Sequence, residues 1–343
     1  MTNRELARQL NISPAALSLI VNHKSGVSDT TRERVIRQLE ELGYSHLIKQ
    51  PQTIIAENNL CFVIYKRHGK ILNQHPFFLL LTESIESHAR EYGYHILLTT
   101  VDKKSPIDNQ IENLNQMNAK GFIIFATEML DDDIDCFKKL KQPYVAIDND
   151  FTHLNINTVS INNTMGTFQA IDHLYQMGHR HIGYLQSNVF ISSFGERTRG
   201  YQDAMKHFNL ELDSSFIFKV QYTEEGSYQD FKHYLNSSSK LPTAFVTDDD
   251  TMATGVMRAL LEKGIRIPED ISIVGFNDRP ICELSSPKLT SVNVPRHSFG
   301  AEAVDCILSL IEKGDNGKPR GRSIKIRIGT QLIKRESVQD LNR

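Results

Sequence analysis

Two groups of residues in this 343-residue chain could do chemistry: polar and aromatic side chains just beyond apolar runs, and hydroxyls gathered near the N-terminus. Asp148 follows the run Tyr144–Ile147. A carboxylate there can accept two hydroxyl donors of a ligand; the alternative is a loop cap. Pro76-Phe77-Phe78 opens a helical segment, with Pro76 suited to its first turn. One of the two rings reads as core, the other as a surface for the apolar face of a sugar. Asp248-Asp249-Asp250 separates the strand candidate Ala244–Thr247 from a helix candidate, and Asp250 is placed to cap that helix. The histidines are scattered without nucleophile partners, and no glycine-rich phosphate loop is present. No catalytic residue, metal site or cofactor is expected, and the chain reads as a binding protein rather than an enzyme.

The N-terminal elements are more specific. Thr2-Asn3-Arg4-Glu5 has capping-box spacing, with Leu6, Ala7 and Leu10 on the apolar side of the helix it opens. Ser13 reads as the N-cap, and Pro14 as the first residue, of a second helix reaching about Val21. On a helical projection Ala16, Leu17, Ile20 and Val21 fall on one side, and Pro14, Ala15, Ser18 and Leu19 on the other. The second side is small and can lie close against a partner. Asn22-His23-Lys24-Ser25-Gly26 is a loop. Ser28 then caps a third helix carrying Val35, Ile36, Leu39 and Leu42, ended by Gly43. Two helices joined by a tight turn with a third in support is helix-turn-helix geometry, which places the second helix in the major groove of DNA. A three-helix bundle that binds a protein is the alternative. Thr2, Ser28, Thr31 and Arg32 are the candidate phosphate contacts. The helix face offers no Arg, Gln or Asn for bidentate base contacts. Ala15 and Leu19 are therefore assigned to apolar contacts such as thymine methyls. Pro14 and Ser18 share their face, and Ser13 and Asn22 flank the helix.

The whole chain is 40% hydrophobic and 23% charged, with net charge −2. Residues 1–50 carry seven Lys/Arg and five Asp/Glu, so the head is net +2 and the rest net −4. That asymmetry suits a DNA reader whose body must not adhere to DNA. The four cysteines are far apart, without metal-ligand spacing. No apolar run approaches a membrane span and no secretory signal is evident, so a cytoplasmic protein without a membrane role is expected. Tyr44 to Asn59 is polar and reads as a linker. From Leu60 onward, strands alternate with helices. The strand candidates are 60–65, 94–100, 121–126, 144–147, 181–185, 216–220, 244–247 and 271–275. The helix candidates are 77–92, 106–118, 132–140, 165–177, 196–208, 226–235 and 251–263. Two such β-α series imply two lobes of parallel sheet covered by helices, with a ligand in the cleft at the strand ends.

Leu6-Ala7-Arg8-Gln9-Leu10-Asn11-Ile12-Ser13, Leu17-Ser18, Val21-Asn22 and Val27-Ser28-Asp29-Thr30-Thr31-Arg32-Glu33-Arg34-Val35 resemble the DNA-binding module of the LacI/GalR family of bacterial transcription regulators. The resemblance runs through nearly the whole chain. It implies an all-α helix-turn-helix domain (1–46), a hinge linker (47–59) and an effector-binding and dimerisation domain (60–339). The last would be a two-lobed, α/β, periplasmic-binding-protein-like body, with parallel sheets flanked by helices. The chain would cross between the lobes three times, giving lobe 1 as about 60–161 plus 294–322 and lobe 2 as about 162–293 plus 323–339. The resemblance also assigns effector contacts to Arg197, in Arg197-Thr198-Arg199-Gly200-Tyr201, and to Asp278, in Gly275-Phe276-Asn277-Asp278. Asp249 stands where relatives carry Asn or Ser, adding negative charge toward the cleft. Val294 stands where they often carry a polar ligand.

Asp148, Asp249 and Asp278 against Arg197 would favour a neutral sugar over an anion, with a purine or other metabolite as the alternative. The family's hinge normally wedges a Leu into the minor groove. Thr53 falls at about that position, so a helix from Pro51 would offer Ile54 or Ile55 instead. The implied protein is a homodimer on a double-stranded DNA operator, regulated by a small-molecule effector; no heptads follow residue 336 to build a tetramer. Its implied role is repression of carbohydrate-utilisation genes. The rival reading is a cytoplasmic sugar receptor without a DNA role.

Overall fold

A computed structural model describes residues 3–21, 26–47, 58–72, 77–237, 240–314 and 322–342, the side chains at 3, 4, 29, 46 and 77–79 excepted. The chain divides into two compact units, Met1–Glu57 and Asn58–Arg343. The first holds α1 (Asn3–Gln9), α2 (Pro14–Val21) and α3 (Asp29–Glu41). Ser13 Oγ accepts the Ala16 N–H at 3.0 Å, ahead of Pro14, and Ser28 Oγ accepts the Thr31 N–H at 3.4 Å. Gly43, at φ +76°, ends α3. The N–H groups of Gly43 and Tyr44 return to the carbonyls of Glu40 and Leu39, which is the Schellman pattern. Leu6, Ala7, Leu10, Leu17, Ile20, Val35 and Leu39 form the buried core.

The second unit contains two six-stranded sheets. Lobe 1 is built from β1 (Asn59–Lys66), α4 (Phe77–Glu91), β2 (His95–Asp102), α5 (Ile107–Gln116), β3 (Gly121–Phe125), β4 (Tyr144–Ile147) and β5 (Thr158–Ile161). The chain then crosses into lobe 2 for α6 (Asn163–Gln176), β6 (Ile182–Ser187), α7 (Ser192–His207), β7 (Ile217–Val220) and α8 (Glu224–Ser237). β8 (Ala244–Thr247), α9 (Asp250–Glu262), β9 (Ser272–Asn277), α10 (Ile281–Leu284) and β10 (Thr290–Asn293) continue it. It returns for α11 (Arg296–Glu312) and β11 (Lys325–Ile328), then crosses a third time to β12 (Gln331–Ile333). The sheet orders are β11-β5-β4-β3-β1-β2 and β12-β10-β9-β8-β6-β7. All pairs are parallel except β10–β12. Central strands such as β3 and β4 are buried along their whole length, as expected where helices cover both faces.

Several sequence expectations need correction. Residues 323–328 do not belong with lobe 2, because β11 pairs with β5 in the lobe 1 sheet; the third crossing falls at residues 329–330. The segment expected as helix 132–140 is a 3₁₀ stretch, Asp131–Lys139. β5, β10, β11, β12 and α11 were absent from the sequence reading. Among the described residues, no helix is long and apolar enough to cross a membrane.

Candidate functional site

The carboxyl ends of the two sheets face each other across a cavity with about 480 Å³ of space between atoms, part of it open to solvent. Such ends are where open α/β sheets hold ligands. The polar wall residues are Thr127 and Asp148 from lobe 1, and Ser193, Arg197, Tyr222 and Asn277 from lobe 2. Ile71, Leu72, Phe125, Ile161, Ile191, Phe194 and Val294 supply the apolar wall.

Arg197 is the best-fixed group. It lies one and a half turns into α7 and is only 5% exposed. Its Nε donates to Asn163 Oδ1 at 2.9 Å, Nη1 to the Asp248 carbonyl, and Nη2 to Asn277 Oδ1 at 3.4 Å. The guanidinium lies over the Phe276 ring, 3.7 Å from its centroid. These three bonds use three of its five N–H donors, which leaves two for a ligand. Stacking and bonding hold the fork in one plane, the condition for recognising paired oxygens. Arg199 faces outward instead, 3.9 Å from Glu196.

Asp148 sits just past β4 at φ +65°, a left-handed conformation that Asp tolerates better than most residues. Thr127 Oγ1 donates to its Oδ2 at 2.5 Å. Burial pushes its carboxyl up to about 6, opposed by the Thr127 hydrogen bond and the Arg197 charge. Asp148 and Arg197 come from opposite lobes and line the same cavity.

The other two candidate acids do not line it. Asp249 is fully buried and is itself the N-cap of α9, accepting the Thr251 N–H at 2.8 Å. The sequence reading gave that cap to Asp250. Asp249 Oδ2 also accepts from Asn277 Nδ2 at 2.5 Å, so it reaches the cavity through Asn277. Asp250 lies deeper, accepting from Ser291 Oγ at 2.6 Å and the Arg279 N–H at 2.9 Å. A Cβ at position 275 would strike it, which explains Gly275. Asp248 accepts from the Tyr184 hydroxyl at 2.5 Å and the Ser187 N–H at 2.7 Å; burial raises its carboxyl to about 7 against those bonds. Asp278 turns away and pairs with Arg335 at 2.7 Å, and Asn293 Nδ2 donates to it at 2.9 Å. Asn277, one residue earlier, is the wall residue. Consecutive positive φ values at Asn277 (+99°) and Asp278 (+48°) account for the difference, because the chain turns there. The wall therefore holds one acid and one base rather than three acids against one base.

Phe77 and Phe78 begin α4, and their side chains lie outside the described residues. Among the DNA candidates, Pro14, Ala15, Ser13, Ser18 and Ser28 are exposed, and Leu19, Thr31 and Arg32 half-buried. The Ser28 and Thr31 hydroxyls bond each other at 2.8 Å, so part of their capacity is already used for capping. Thr2, Asn22, Ile54 and Ile55 lie outside the described residues.

Sequence reasoning missed the loop after β1. Glu128, whose side chain is wholly buried, accepts backbone N–H groups from Arg67, His68 and Gly69 on one oxygen and from Ile71 and Leu72 on the other, at 2.8–3.4 Å. Burial alone would raise its carboxyl, but the His68, Gly69 and Ile71 N–H groups outweigh it and hold it below the usual range. Tyr222, two residues past β7, and Thr127, two past β3, obey the strand-end rule that found Asp148, and that rule could have found them.

A two-lobed small-molecule-binding body joined to a helix-turn-helix unit defines the class. Residues 171–338 match the family model described as a periplasmic binding protein-like domain. The HTH-type transcriptional repressor PurR of Haemophilus influenzae (strain PittEE) is 26% identical over 343 residues, covering 99% of each chain. The ribose operon repressor of Haemophilus influenzae is 27% identical over 313 residues, covering 91% of this chain and 92% of its own. The crystal structure of the lac repressor dimer bound to operator and the anti-inducer ONPF shares the fold over 99% of both chains, with TM-score 0.70 and 23% identity. The chain is similar to the regulators of the LacI/GalR family over nearly its whole length, and it is a ligand-responsive, DNA-binding regulator of transcription.

Proposed function

We propose that the chain is a cytoplasmic, homodimeric repressor of carbohydrate-utilisation genes whose operator affinity is set by a neutral sugar held between Asp148 and Arg197. The opposed pair across the interlobe cavity carries this reading. A carboxylate that accepts two hydroxyls and a guanidinium fork that donates to two more match a polyhydroxylated ring. One acid and one base leave the wall near neutral, which favours an uncharged ligand. Thr127, Ser193, Tyr222 and Asn277 add hydroxyl and amide partners, and Phe125 and Phe194 add apolar surface for the ring. Asp249 supports Asn277 from behind, and Asp278 has no direct part. The name of the ribose operon repressor agrees with a sugar; that of PurR keeps a purine base as the second reading.

The head, 1–46, would read DNA through α2, with Ala15 and Leu19 toward the bases and Ser28, Thr31, Arg32 and Thr2 toward phosphates. Residues 47–59 would form the hinge, with Ile54 or Ile55 as the wedge. Exposed apolar side chains on and just after α4 (Leu80, Tyr92), on the edge strand β2 (Leu97, Leu98) and on α10 (Ile281, Leu284) support pairing with a second copy. Binding energy that differs between lobe arrangements then becomes a coupling of about 1–3 kcal/mol between effector and operator.

The test is footprinting of the full-length protein on promoter fragments from its own locus, with and without a panel of mono- and disaccharides and purine bases. A sugar that changes protection, and an Arg197→Ala variant that protects equally with or without it, is the expected result. Protection changed by purines alone replaces the sugar reading. No protection of any fragment at low salt rejects the DNA role.

A further inference from the structure

The described part of the loop after β1, residues 67–72, is framed by one lobe and reaches into the other. Its frame belongs to lobe 1: Glu128 gathers five of its backbone N–H groups, and the Arg67 guanidinium pairs with Asp133 of the 3₁₀ segment. Its Ile71 side chain packs with lobe 2: it is 2% exposed and sits in the apolar cluster that holds Ile191, Phe194 and Tyr222. Leu72, next in sequence, is half-buried against the central core and lines the cavity. Five hydrogen bonds to one buried carboxylate fix the loop's path on its own lobe, so Ile71 is presented as a rigid apolar projection. Opening the cleft draws that side chain out of the facing lobe and into water, which is unfavourable.

We propose that Ile71 is an interlobe latch, positioned by Glu128, that holds the two walls of the cavity together through a contact separate from Asp148 and Arg197. The proposal rests on reading this cavity as the effector site. An effector then enters against the latch as well as between the polar groups. The resting balance between open and closed lobes is set by an apolar contact rather than by the polar wall.

The test measures lobe separation in the full-length protein by double electron–electron resonance, with no ligand added. Spin labels go on Lys104→Cys and Glu224→Cys, exposed positions just beyond the outer strands β2 and β7, in a Cys136→Ser background because Cys136 is the least buried native thiol. Ile71→Ala should lower the ratio of closed to open lobes by at least about tenfold, as expected for a large-to-small change in a packed cluster. Glu128→Gln, which replaces one acceptor oxygen by a donor, should broaden the distribution in the same direction. Ile71→Val keeps most of the buried branch and should lie between the parent and Ile71→Ala, nearer the parent, which a generally loosened fold would not do. Superimposable distributions for Ile71→Ala and the parent overturn the latch, as does Ile71→Val displaced as far as Ile71→Ala. Should Glu128→Gln fail to fold, the two Ile71 variants decide alone. Failure of every sugar in footprinting leaves these distances unaffected, so the two readings fail separately.

Discussion

Replacing Asp148 with Asn should stabilise the protein at neutral pH while weakening its response to effector. Asp148 is half-buried at the cavity wall, and desolvation pushes its carboxyl from 3.8 up to about 6. A carboxyl whose folded value exceeds its unfolded value binds protons more tightly in the folded state, so its ionisation opposes folding. Below the unfolded value nothing is lost. As pH rises from about 4 to 6 the penalty grows, and above that it is constant. At about 1.36 kcal/mol per unit, the full penalty is about 3 kcal/mol at pH 8 and about 1 kcal/mol near pH 4.5. Asn cannot ionise, and its carbonyl can still accept the Thr127 hydroxyl that Asp148 now accepts.

Urea unfolding of both proteins at the two pH values is the assay. The stability difference in favour of Asp148→Asn should grow by about 2 kcal/mol between pH 4.5 and 8. The same substitution turns one acceptor oxygen into a donor facing the cavity. It should therefore cost a hydrogen bond to a charged group, about 1.5–3 kcal/mol of effector affinity. A difference that is flat with pH, or a parent more stable than the variant at pH 8, would refute the reasoning, because burial would then not govern this carboxyl.

Four further outcomes can be measured. Asn277→Ala, at the wall, should weaken effector binding by about 1 kcal/mol or more in calorimetry. Asp278→Asn, which removes the 2.7 Å partner of Arg335 but leaves it Glu283 at 3.1 Å, should instead cost about 1.5–3 kcal/mol of stability with little change in affinity. Leu17→Ala, in the small core of the head, should cost about 2–5 kcal/mol there; operator binding should vanish in gel shifts while effector binding by the second unit persists. Ile54→Ala and Ile55→Ala should each be compared for operator affinity and DNA bending, and at least one should reduce both if an isoleucine is the minor-groove wedge.

Sequence legibility differed by element for physical reasons. α2 was readable because capping chemistry and helical periodicity agree there: Ser13 caps, Pro14 starts, and Leu17 and Ile20 are buried. β3 and β4 were readable as apolar runs. β5, β10 and β11 were not, because Thr-Val-Ser-Ile, Thr-Ser-Val-Asn and Lys-Ile-Arg-Ile carry polar residues whose partners come from distant segments. The Thr158 N–H, for example, donates to the Ile324 carbonyl. Asp249, Asp250 and Asp278 were misassigned for a related reason. Each stands at a strand end, where ligands bind, but whether the carboxylate points into the cavity depends on a cap, a turn or a far arginine. Arg335, which takes Asp278, is more than 50 residues away. Glu128 left no signal, because its partners are backbone N–H groups and any sequence supplies those.

The cavity wall is also bonded to two of the three places where the chain changes lobe, and it reaches the third through Asn163 and Glu196. Asn163, two residues past β5 at the first crossing, accepts from Arg197 and donates to Glu196. Arg296, which starts α11 after the second crossing, donates to the Asn277 carbonyl at 2.5 Å. Arg327, at the end of β11 before the third, pairs with Asp150 at 2.5 Å and approaches Glu196 at 3.9 Å. A ligand that takes up the free donors of Arg197 or the amide of Asn277 therefore engages groups that already share hydrogen bonds with the crossover segments. Those segments are where the backbone must rotate if one lobe moves against the other. If effector binds there as proposed, binding and lobe geometry would be linked by single hydrogen bonds, and each ligand contact would also tighten or release a joint.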